Sequence, residues 1–110
     1  MMDEKQRKRL EAAGWKVGDT QEFLGLTDEE MAYIKLHNAL SDALQTRRKA
    51  EGLTQQALAT RMGSSQSRVA KMEARDESVS LDLLVRALLA TGATVLDIAD
   101  AIAPERARAA

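Results

Sequence analysis

The sequence predicts an all-α fold, a compact five-helix bundle preceded by an N-terminal extension. Strand-like alternation of apolar and polar residues is absent, Ala, Leu, Arg, Glu and Gln dominate, and Pro104 is the only proline. Apolar residues at helical spacing are cut by Gly52, Gly63 and Gly92, each where a helix would stop. Hydroxyl residues stand where the next helix would start. At 110 residues, 45% of them apolar and only 3% aromatic, the chain has material for one aliphatic core.

The extension comes first. Residues 3–13, DEKQRKRLEAA, have helical composition but a thin apolar face of Leu10 and Ala13. Glycines 14, 18 and 25 then interrupt the pattern, leaving a linker with at most one helical turn near 20–24. Trp15 and Phe23 are its aromatic anchors; they either cover the bundle or present a partner-binding patch. The boundary at 26/27 is sharp, because Thr27 and Glu30 form a capping box and Leu26 can staple onto Met31. Asp28, Glu29 and Glu30 suit the positive end of that helix, so they are read as capping groups, not as paired catalytic carboxylates.

The first core helix is expected from Asp28 to about Glu51, with Tyr33, Leu36, Leu40, Ala43 and Leu44 on one stripe. Thr54 caps a second helix that Gly63 ends, and Ser65 caps a third running to about Ala74. Ser80 caps a fourth, LDLLVRALLAT, ended by Gly92. Thr94 and Asp97 form a last capping box for a helix from Val95 to Ala103, before Pro104. The domain reading is therefore an extension over 1–26, a bundle over 27–103 and a frayed tail over 104–110.

Several function classes find no support. Without cysteine there is no disulfide, thiolate metal site or cysteine nucleophile, and one histidine makes no His-rich zinc site. His37 is expected in surface or boundary packing. A serine, a histidine and aspartates are present, but nothing brings them together, so no enzyme, cofactor or metal is expected. The charged start MMDEKQRKRL lacks the features of a signal peptide, and no window approaches a membrane span. A cytoplasmic protein is the expectation.

Charge is segregated. The formal net charge is −1, yet residues 44–75 hold seven basic residues (Arg47, Arg48, Lys49, Arg61, Arg68, Lys71, Arg75) against Glu51 and Glu73. Such a segment can give one face a positive field that the net value conceals. Within it, the second and third helices are joined too tightly for antiparallel packing and must cross steeply, a helix-turn-helix arrangement. With Ala57, Leu58 and Met62 facing Val69 and Met72, the remaining positions of the third helix, Gln66, Ser67 and Lys71, point away, with Arg68 at their edge. Amide, hydroxyl and ammonium groups at a helix N-terminus can read base edges in a major groove.

The stretch GLTQQALATRMGSSQSRVAKMEA, residues 52–74, resembles the core of the lambda-repressor/Cro type, the XRE family of helix-turn-helix proteins. Its Leu-Thr-Gln start, Ala-Leu-Ala, turn glycine, Ser-Gln-Ser opening and Met-Glu close carry the likeness, and helix order extends it over 28–92. The resemblance implies a sequence-specific transcriptional regulator, a dimeric repressor on an inverted-repeat operator of double-stranded DNA. It implies base reading by Gln66, Ser67 and Lys71 and backbone contact by Gln55, Ser65 and Arg68, with Gln55 buttressing the recognition helix. The homodimer would use the helices of 80–103. The stretches RRKAEGLTQQALATRMGSSQSRVAKMEA and SLDLLVRALLATGA are also similar to HigA-type antitoxins of this family. That likeness implies the alternative, an antitoxin that binds a toxin through Trp15 and Phe23 and represses its own operon.

Overall fold

A computed structural model describes residues 20–105. They contain six helices: α1 (Thr20–Phe23), α2 (Asp28–Ala50), α3 (Gln55–Met62), α4 (Gln66–Glu73), α5 (Leu81–Ala90) and α6 (Val95–Ile102). The five expected core helices are α2 to α6, and α1 is the single turn allowed for near 20–24. Trp15 and the residue 3–13 helix lie outside the described residues. Of the tail, Pro104 and Glu105 have helical backbone and residues 106–110 lie outside.

The chain divides into two units, the first ending at Ile34 and the second beginning at Lys35, inside α2. In the first, α1 closes on Gly25, whose φ of 68° lets the chain turn back. The Leu26 N–H then donates to the Gln21 carbonyl at 2.9 Å. The Gln21 amide reaches forward to the Asp28 carboxylate at 2.7 Å. The capping box is formed, with Thr27 N–H to Glu30 Oε1 and Glu30 N–H to Thr27 Oγ1, both 3.1 Å.

The second unit holds the core. Leu44, Leu58, Met72, Leu84, Leu88 and Val69 are its largest fully enclosed side chains. Each buried leucine contributes about 1.5–3 kcal/mol relative to exposure. Helix α3 packs on both α4 and α5. The later N-caps form as expected: Thr54 accepts from the Ala57 N–H, Ser65 from Arg68, Ser80 from Leu83 and Thr94 from Asp97.

Two expectations need correction. Tyr33, placed on the core stripe of α2, is 52% exposed. The buried face of that helix runs instead through His37, Leu40, Ser41, Leu44 and Arg48, a face with three polar members that a hydrophobicity pattern misses. His37 is not a surface residue: it is 5% exposed, with Nε2 2.7 Å from the Val79 carbonyl. A ring nitrogen in that position donates its proton to the oxygen, tying α2 to the loop before α5.

Candidate nucleic-acid interface

The turn between α3 and α4 is only three residues, Gly63 to Ser65. Gly63 has φ 64° and ends α3 in the left-handed conformation, where glycine bears no Cβ penalty. Ser65 then has extended backbone and caps α4. This short connection turns α4 so that its two faces differ sharply. Val69 and Met72 are fully buried and Glu73 nearly so, whereas Gln66, Ser67, Arg68 and Lys71 are all exposed.

The exposed side chains differ in their partners. Gln66 Nε2 donates to Gln55 Oε1 at 2.6 Å. The Ser65 and Ser67 hydroxyls lie 3.2 Å apart. Arg68 and Lys71 enter no ion pair among the described residues. Together with Ser78, Val79 and Leu83 they line a recess of about 160 Å³. The Asp76 carboxylate, next to this region, is held below its ordinary range, chiefly by hydrogen bonds from the Ser78 hydroxyl and N–H.

Behind the exposed face stands a polar network of which the sequence reading held only Gln55, set against the recognition helix, and missed Arg48 and Glu73. Arg48 Nε and Nη2 donate to Glu73 Oε2 and Oε1 at 2.5 and 2.9 Å, a two-pronged pair whose side chains are 11% and 2% exposed. Arg48 Nη1 also donates to the Leu53 carbonyl at 2.8 Å. Its guanidinium is held above its ordinary pKa by the hydrogen bond to Glu73, against the opposing effect of burial. Gln55 Nε2 donates to Glu73 Oε1 at 3.3 Å. A continuous chain therefore runs Arg48, Glu73, Gln55, Gln66, from the interior to the outer face of α4. The signal for it was a glutamate at the apolar spacing of Val69 and Met72, a position that demands a buried cation.

The basic cluster of residues 44–75 is less free than its count implied. Arg48 is committed to Glu73, and Arg75 pairs with Asp42 at 2.5 Å. Arg47 lies 3.6 Å from Glu51 and 3.5 Å from Asp97. Lys49, Arg61, Arg68 and Lys71 remain outside the ion pairs formed among the described residues, and two of these four are on α4.

A family model described as helix-turn-helix matches residues 44–98. The match spans most of α2 beyond its midpoint, all of α3, α4 and α5, and the start of α6. Neither a curated protein nor a solved structure gives a significant match.

Proposed function

Since the chain belongs to the helix-turn-helix family and is thereby a DNA-binding transcriptional regulator, we propose that it acts as a dimeric repressor, with α4 as the recognition helix in the major groove of an inverted-repeat operator. The observation that carries this reading is the face of α4. Four long or small polar residues are exposed there with no part in the core, and the helix is anchored from behind by Val69, Met72 and Glu73. Gln66 suits adenine N6 and N7, Lys71 suits guanine O6 and N7, and Ser67 lets the helix end approach closely. Arg68 and Ser65 flank the tip of the helix, where phosphates pass, and the second Gln55 N–H can reach one too.

A homodimer through α5 and α6 is supported by the apolar surface there. Val95 and Leu96 are 77% and 69% exposed, and Leu89 and Ile102 are exposed as well. No side chain of α6 is fully buried. Footprinting on DNA upstream of the gene tests the reading. Two protected half-sites with centres roughly 10 bp apart, or a multiple of that, are expected; a monomer on one asymmetric site contradicts it.

The antitoxin alternative draws support from Phe23 and Leu24, 55% and 51% exposed in the segment ahead of the first core helix. It is tested by co-purification with the product of an adjacent gene, using the full chain and a form lacking residues 1–24. Loss of the complex on truncation supports the arm as a toxin-binding element, and equal retention removes it.

A further inference from the structure

The geometry points to Glu73 as a positioning residue for base recognition: its buried carboxylate sets the donor and acceptor direction of the Gln55 amide, and through it that of Gln66, so that α4 favours adenine over guanine at one position of each half-site. This rests on the reading of α4 as the recognition helix. Hydrogen-bond polarity dictates this order. A carboxylate engaged by a guanidinium is acceptor-only. The Gln55 group 3.3 Å from Glu73 Oε1 must then be its NH₂. That turns Gln55 Oε1 toward Gln66, and an acceptor there requires the Gln66 NH₂, which lies 2.6 Å away.

With one N–H spent on Gln55, Gln66 has one N–H and the lone pairs of Oε1 left for DNA. Adenine offers an acceptor at N7 and a donor at N6, which match this pair. Guanine offers two acceptors, N7 and O6, so one of them would face the Gln66 carbonyl oxygen. Flipping the Gln66 amide to suit guanine would set its oxygen against Gln55 Oε1. Flipping both amides would set the Gln55 oxygen against the Glu73 carboxylate. A charge with 2% side-chain exposure thereby fixes the chemistry of an exposed side chain two residues removed in the network. Arg48 holds Glu73 but does not touch the glutamines, so its influence on base choice passes through the charge alone.

The test compares full-length wild type, Glu73→Gln, Gln55→Ala and Arg48→Lys. Each is titrated on the selected operator and on a copy with adenine replaced by guanine at each position in turn, at a temperature where circular dichroism shows all four folded. Wild type should prefer adenine by roughly five- to 140-fold at one position. Glu73→Gln introduces an amide that can donate or accept, and Gln55→Ala removes the relay, so both should lower this ratio severalfold or more. Arg48→Lys weakens the same buried pair but leaves an acceptor-only carboxylate, so it should lower stability and keep the ratio. A glutamate with a merely structural role would lower affinity uniformly and leave the ratio unchanged in Glu73→Gln. A DNA-free readout stands beside this: in wild type the Gln55 side-chain NH₂ resonances should be shifted and slow to exchange, and values of a solvated glutamine overturn the inference. Failure of wild type to bind any DNA overturns the regulator reading and this inference with it. Sequence-specific binding whose adenine preference survives in both Glu73→Gln and Gln55→Ala overturns this inference alone.

Discussion

Arg48 on α2 and Glu73 at the end of α4, 25 positions apart, meet in a two-pronged ion pair that is almost closed to water. It joins the helix that begins the core to the one that carries the candidate interface. Removing either partner strands a buried charge, so Arg48→Ala and Glu73→Ala should each cost about 3–5 kcal/mol. Replacing both with apolar residues of similar volume should cost much less. Urea denaturation of the three variants checks this, and single variants within about 1 kcal/mol of wild type would show that the pair is not buried as described.

Arg75 is the one non-glycine residue with positive φ among the described residues, at 58°. It follows α4 in the left-handed conformation and donates through Nε and Nη2 to Asp42 at 2.9 and 2.5 Å. The pair is about half exposed and so is worth about 0–1 kcal/mol, whereas the left-handed backbone costs an L-residue about 1–2 kcal/mol. Arg75→Gly should therefore be neutral or stabilising, and Arg75→Val clearly destabilising. Thermal unfolding of the two variants separates them.

Much of this architecture was legible because it is local. The starts of α2 to α6 were each marked by a side chain within three residues of the N–H it satisfies, as Thr27, Thr54, Ser65, Ser80 and Thr94 show. The exposed face of α4 followed from the helical spacing of Val69 and Met72 alone. What was not legible is long-range and polar. His37 meets Val79 across 42 positions and Arg75 meets Asp42 across 33, and no local pattern encodes either contact. The same blindness misplaced Tyr33, because the buried stripe of α2 includes His37, Ser41 and Arg48, which an apolar pattern counts as surface.

The α6 cap carries a pH dependence. Asp97 is held below its usual carboxylate value of 3.8, first by the hydrogen bond from the Thr94 N–H and then by the Thr94 hydroxyl. A depressed folded value means that the cap's contribution is full above the ordinary range and is lost as pH falls through the lower folded value. NMR titration should place Asp97 below a model aspartate. Thr94→Ala removes the hydroxyl and keeps the backbone N–H, so the Asp97 value should move only part of the way up toward 3.8 while α6 frays; an unmoved titration would show that the hydroxyl has no share in the effect.

Arg68 should act differently from Gln66. As a phosphate contact, its loss in Arg68→Ala should weaken operator and random DNA alike and reduce the salt slope by roughly one unit. Titrations at several salt concentrations measure both quantities. Collapse of base discrimination with nonspecific affinity intact would reassign Arg68 to base reading.

Whether the exposed face of α4 reads DNA sequence is decided by selection from a random duplex library followed by titration of Gln66→Ala. Wild type should enrich an inverted repeat, and Gln66→Ala should keep the fold, lose about 1–3 kcal/mol on the selected site and relax preference at a single position of each half-site. Enrichment of no sequence by wild type, or a Gln66→Ala protein with unchanged affinity and unchanged base preference, would contradict sequence reading by this face.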